Sequence, residues 1–109
     1  MRVLICGGRD YTGDGQCLHQ LPFDVTMVIH GDAKGGDTVG KMWAIRNGIH
    51  HAAVPALWDY YNKSAGYKRN AAMLTLQPEY CVAFPGGRGT EMMVGLCKKE
   101  GIPVWRPYG

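Results

Sequence analysis

A single α/β domain built on a parallel sheet is what this sequence predicts, and three observations predict it. Short apolar runs rich in β-branched residues alternate with stretches of helical spacing. Two of these runs close directly on glycine and a third on Pro-Gly, as strands do when they hand over to helices. The length of 109 residues suffices for one hydrophobic core but not for two.

The first strand is Val3 to Cys6, a continuous apolar run closed by Gly7-Gly8, the pattern of a strand buried on both faces. The segment from Asp14 to Pro22 is too short for a full helix and reads as one irregular helical turn. Val25 to His30 is the second strand, closed by Gly31. Val39, Met42, Trp43 and Ala44 follow with helical spacing. Ala52 to Val54 is a short third strand. Ala72, Met73 and Leu76 mark the helix of the third crossover. Tyr80 to Phe84 is the fourth strand, and Met93, Leu96 and Cys97 mark its helix. Pro103 to Trp105 is the fifth strand. Strands that alternate with helices require parallel pairing through crossovers, hence a compact Rossmann-like three-layer domain. The expected strand order is 3-2-1-4-5; a flavodoxin-like order would put the same loops at the same edge.

The formal charge is +3, with 46% hydrophobic and 19% charged residues, an ordinary globular composition with a mildly basic surface. That excess suits a phosphorylated small ligand and gives no reason to expect DNA. Cys6, Cys17, Cys81 and Cys97 form no Cys-x-x-Cys pair and read as buried free thiols. With no signal-peptide pattern at Met1 to Cys6 and no membrane-length apolar run, a cytoplasmic location without a membrane partner is expected.

Three Gly-rich loops follow strands 1, 2 and 4: Gly7 to Gly13, Gly31 to Asp37, and Pro85 to Thr90. All three lie at the carboxyl edge of the sheet, where open α/β sheets bind ligands. Glycines let a ligand approach backbone N–H groups, and the following helix dipole favours negative charge. One such loop is a weak signal, because tight βα turns use glycine for geometry alone. Three at one edge, each with its own cation (Arg9, Lys34, Arg88), point to an anion. None fits Gly-x-x-x-x-Gly-Lys-Ser/Thr, and the strict Gly-x-Gly-x-x-Gly fingerprint is missing. Neither cofactor nor metal is expected. The third connection adds Trp58, Tyr60, Tyr61, Lys63, Tyr67, Lys68 and Arg69. Trp58 reads first as a core or hinge anchor and second as a stacking face for a base. Arg69 reads as a site cation or as a solvated surface arginine.

Gly7-Gly8-Arg9-Asp10-Tyr11, His30 to Asp37, Trp58 with Lys63 to Gly66, Arg69-Asn70, and Pro85-Gly86-Gly87-Arg88-Gly89-Thr90 together resemble the SLOG superfamily, most of all its short YspA-like stand-alone branch of bacteria and phages. The resemblance runs over nearly the whole chain. It implies a site for a nucleotide or nucleotide-derived signalling molecule. By that likeness the ligand contacts are Gly8, Arg9, Tyr11, Gly31, Lys34, Gly35, Gly36, Asp37, Trp58, Arg69, Asn70, Pro85, Gly86, Gly87, Arg88, Gly89 and Thr90, with Tyr61 a further candidate for the base or ribose. Relatives include the Lonely Guy phosphoribohydrolases, which split nucleoside monophosphates, the DprA proteins, which bind single-stranded DNA, and nucleotide-sensing domains.

The enzyme branch carries Pro-Gly-Gly-x-Gly-Thr-x-x-Glu, and here its glutamate position is Met93. Glycosidic cleavage develops positive charge that a carboxylate stabilises, and a thioether cannot. Glu91 is no simple substitute, since two residues along a helix turn the side chain by roughly 200°. Asp10, Asp32 and Asp37 lie in the other loops; Asp10, Asp37 and Glu91 are the catalytic candidates of the enzyme reading. Met92 and Met93 read as core or as adaptable ligand contacts. The leading expectation is a binder that recognises or sequesters its ligand. A nucleotide N-glycosidase and a DprA-like single-strand binder are the alternatives. A homodimer or larger homo-oligomer is expected to close the shallow edge pocket.

Overall fold

The computed structural model describes residues 1–109, the side chain of Lys63 excepted. The strands are β1 (Arg2–Cys6), β2 (Met27–His30), β3 (His50–Ala53), β4 (Tyr80–Ala83) and β5 (Val104–Trp105). The helices are α1 (Gly36–Arg46), α2 (Trp58–Tyr61), α3 (Ala65–Leu74) and α4 (Arg88–Lys99), with short 3-10 turns at Gln16–Gln20 and Asn62–Ser64. The sheet has the order β3-β2-β1-β4-β5, and every pairing is parallel. The order expected from the sequence is therefore the order found. No helix is long and apolar enough to cross a membrane.

Alternation along the strands builds two cores, one on each face of the sheet. Val3, Ile5, Val28, Val82 and Phe84 pack against Val39, Trp43 and Ala44 of α1, with Cys17 and Leu18 of the first turn. Leu4, Cys6, Ile29, Cys81 and Ala83 face Met73 of α3 and Met93, Val94 and Cys97 of α4. Phe84 is fully buried, and truncating such a side chain to Ala costs about 3–5 kcal/mol. All four cysteines are buried free thiols.

Element boundaries move by one or two residues, and the ends of β1, β4 and β5 by one. Thr26 donates its N–H to the Met1 carbonyl oxygen outside the β2 ladder, so β2 starts at Met27 and not at Val25. β3 begins two residues before Ala52: it is an edge strand, and its first two residues, His50 and His51, are exposed, so an apolar count passes over them. Leu76 lies beyond the end of α3.

The connections from β1 and β4 leave on opposite faces. The turn after β1 joins the α1 core, and α4 joins the other. Because β1 and β4 are neighbours, their carboxyl ends flank the switch point at which ligands of open α/β sheets bind.

Candidate functional site

The three glycine loops meet at Gly8. Its N–H donates to the Pro85 carbonyl oxygen at 2.8 Å, and its own carbonyl accepts from the N–H of Tyr11 and of Gly36, each at 3.1 Å. Contact is so close that a Cβ on Gly8 would stand 2.7 Å from the Gly86 Cα, and one on Gly7 would stand 2.9 Å from the Gly36 Cα. Gly35 has a φ of 83°, which excludes most side chains. These glycines lock the loops to one another, so part of the glycine signal belongs to the fold.

Gly89 is different. It is helical, and a Cβ there would meet nothing within 4 Å. The fold makes no demand for glycine at this position, yet Gly89 lines the cavity beside it. The first intrahelical bond of α4 runs from the Glu91 N–H to the Gly87 carbonyl oxygen, and no side chain caps the helix. Among the described residues, none accepts from the N–H groups of Arg88, Gly89 and Thr90. Unpaired amides at a helix start, with the dipole behind them, make an anion site. The first amide of α1, by contrast, is taken by Gly8.

Two chambers adjoin the loops. The first, about 280 Å³, has Cys6, Met73, Met92 and Met93 as an apolar base, with Asp37, Arg69, Asn70, Gly89 and Thr90 around it. The second, about 410 Å³, is bordered by Gly31, Asp32, Lys34, Pro55 and Ala56. Arg9, Ala33, Trp58 and Arg69 border both, so the chambers form one cleft. A groove of about 230 Å³ lies beyond, along Val54, Leu57, Tyr61 and Ala72. Trp58 is half-exposed above the cleft rather than anchored in the core. Its ring lies against Gly66, where a Cβ would approach it to 3.3 Å.

Arg69 ties the cleft together. Its Nη1 donates to the Gly31 carbonyl at 2.8 Å and its Nε to the Asn70 Oδ1 at 2.9 Å. Asp37 is 5% exposed, and its Oδ2 accepts from the Gly31 N–H at 2.6 Å. Burial pushes its carboxyl up to about 6, against the opposing pull of the Gly31 amide and the Arg69 guanidinium. His30, fully buried at the end of β2, accepts from the Asp32 N–H on Nδ1 at 3.0 Å. Its Nε2 therefore carries the proton and donates to the His51 Nδ1 at 3.0 Å. Burial, with help from His51, depresses the His30 imidazole to about 4. This chain holds Asp32 at a φ of 56°, where its carboxylate reaches Lys41 at 3.2 Å.

The cleft gathers Arg9, Asp37, Trp58, Arg69, Asn70, Gly89 and Thr90 in the first chamber and Gly31 and Lys34 in the second. Gly8, Gly35, Gly36, Pro85 and Gly86 sit behind it as loop-to-loop contacts. Gly87 precedes α4 and Arg88 opens it, both outside the lining, with Arg88 exposed. Tyr11 stacks on Phe84 at 4.6 Å between ring centres and takes no part in the lining. Asp10 is exposed and outside it too. Glu91 is engaged by Arg106 at 2.8 Å, which holds its carboxyl below the usual range. Tyr61 borders the third groove. The side chain of Lys63 is outside the described residues. Sequence reasoning missed Cys6 and Met73, which read as core; the available signal for Cys6 was its place as the last residue of β1. Among the described residues, no group of three or more His, Cys, Asp or Glu could hold a metal ion.

Residues 1–61 match the model of the YspA, cpYpsA-related SLOG family, a segment that carries the first two glycine loops and Trp58. The gene 61 protein of Mycobacterium phage D29 is 33% identical over 123 residues, covering 94% of this chain and 93% of the phage protein. No solved structure matches. With a family model over more than half its length and a relative alike along nearly all of it, the chain belongs to the YspA, cpYpsA-related SLOG family.

Proposed function

We propose that this domain binds a nucleotide or nucleotide-derived molecule in the two-chamber cleft. The observation that carries the reading is the start of α4: three amides without acceptors, at a glycine the fold does not need, open beside a cavity that two arginines border. A phosphate fits the Gly89 and Thr90 amides with Arg69 and Arg9 alongside. A base fits against Trp58, which borders both chambers. Recognition or sequestration is favoured over hydrolysis, because Met93 is buried in the core and Glu91 is bound to Arg106. One observation favours the hydrolase as a second reading: Asp37, a cleft carboxyl with a raised pKa.

The cations converge on one cleft instead of tracking along a surface, which favours a small ligand over a polymer. A cytoplasmic location and closure of the cleft by a second copy belong to the same proposal; light scattering tests the assembly. Calorimetry with adenosine 5′-monophosphate (AMP), followed by chromatography of the recovered ligand, tests the function. The reading predicts saturable binding and intact nucleotide. Steady release of adenine that stops in Asp37→Asn would transfer the site to the hydrolase class.

A further inference from the structure

A cleft suited to an anion contains a buried carboxylate, and that pairing needs a reason. Asp37 borders the same chamber as the free amides of α4, where its charge opposes a bound phosphate. Pinning the Gly31 loop does not account for the charge, since an amide oxygen accepts one N–H equally well. A carboxylate offers about four acceptor positions, and the backbone contacts to Asp37 are the amides of Gly31 and Ala33. The Arg69 guanidinium also pulls on this carboxyl, but its hydrogen bonds go to the Gly31 carbonyl and to Asn70, so the remaining positions are open to donors brought by the ligand. Asp32, the carboxylate of the second chamber, is already paired with Lys41.

In a nucleoside 5′-phosphate the sugar stands between phosphate and base, so a phosphate on α4 and a base against Trp58 put the ribose in the first chamber. A vicinal diol presents two O–H donors side by side, which one carboxylate accepts together. We propose that Asp37 selects ribonucleotides by accepting the 2′- and 3′-hydroxyls of the ligand. The assignment rests on the nucleotide-binding reading above and adds the ligand class and the residue that sets it.

The test is calorimetry of wild type and Asp37→Asn with AMP, 2′-deoxy-AMP, 3′-deoxy-AMP and inorganic phosphate. Wild type is expected to prefer AMP to either deoxy ligand by about tenfold or more, the worth of one charge-assisted hydrogen bond. Asp37→Asn is expected to lose that preference while binding inorganic phosphate as well as wild type or better, because a repulsive charge has gone. Wild-type affinities for AMP and both deoxy ligands within twofold would overturn the assignment and leave the nucleotide site standing. So would an equal loss of AMP and phosphate in the variant, the mark of a purely structural role. Failure of wild type to bind either AMP or phosphate would overturn the nucleotide reading itself, and the assignment with it. The wild-type comparison decides the matter even where the variant does not fold.

Discussion

Gly89 and Gly95 lie on the same helix, and neither has a neighbour within 4 Å of the position a Cβ would take. Replacing glycine by alanine in a helix stabilises by about 0.5–1 kcal/mol, because the unfolded chain loses freedom that the helix does not use. At about 4–8 °C per kcal/mol for a domain near this size, Gly95→Ala is expected to raise the melting temperature by roughly 2–8 °C. Gly89→Ala, in the first turn, is expected to fall at the lower end of that range. Binding separates the two. An alanine at position 89 adds its methyl to the lining of the first chamber, at the residue whose amide is assigned to phosphate, whereas Gly95 lies six residues on, about 9 Å along the axis. Displacing a phosphate from one or two such amides forfeits about 1.5–3 kcal/mol, or roughly tenfold and more in affinity. Thermal melts and AMP calorimetry on the two variants therefore make a paired experiment. A Gly89→Ala protein that is stabilised and binds AMP within twofold of wild type would refute the placement of the anion at α4.

Arg69→Ala is expected to weaken AMP binding by at least tenfold and to cost about 1–3 kcal/mol of stability in urea melts, since it also leaves the Gly31 carbonyl without its donor; Arg88→Ala, outside the lining, is expected to do less on both counts. His30 titrates near 4 in the fold and near 6.5 when unfolded, so its contribution is fully present above 6.5 and is lost as pH falls through 4, by up to about 3 kcal/mol. Asp37 works in the opposite sense: its carboxyl, raised to about 6, favours the fold at pH values below the unfolded value of 3.8, and that contribution is lost as pH rises through 6. The stability of His30→Asn relative to wild type is thus expected to improve steadily from pH 7 to pH 4 in urea melts, and a constant difference would show that His30 is not held neutral. Met93→Glu puts a carboxyl into the α3–α4 core, where Met93 is 1% exposed; denaturation should register a loss of roughly 2–4 kcal/mol that shrinks as the pH is lowered.

The sheet was legible because each central strand is apolar on both faces and punctuated by glycine; between the expected order 3-2-1-4-5 and a flavodoxin-like one, the pairing of β1 with β4 decides. The start of β3 was not, since His50 and His51 at the edge carry no burial signal. The candidate cleft was legible as a set of loops but not as a set of lining residues. Glycine serves close backbone packing at Gly8 and open space at Gly89, and sequence does not distinguish the two. Tyr11 and Arg88 sit in loops of the right kind, yet one turns onto Phe84 and the other starts a helix outside the lining. Met93 occupies the position of a catalytic glutamate in the enzyme branch; only three dimensions reveal that it is core and cavity floor at once.

We place the phosphate at the start of α4. Titrating ¹⁵N-labelled protein with AMP and following its amide correlation spectrum reads that location directly. The largest shifts are expected at the Gly89 and Thr90 amides, with the Arg69 Nε–H and the Asp37 amide next and the far end of α4 unmoved. Saturating shifts confined to another surface, or none at millimolar AMP, would contradict it.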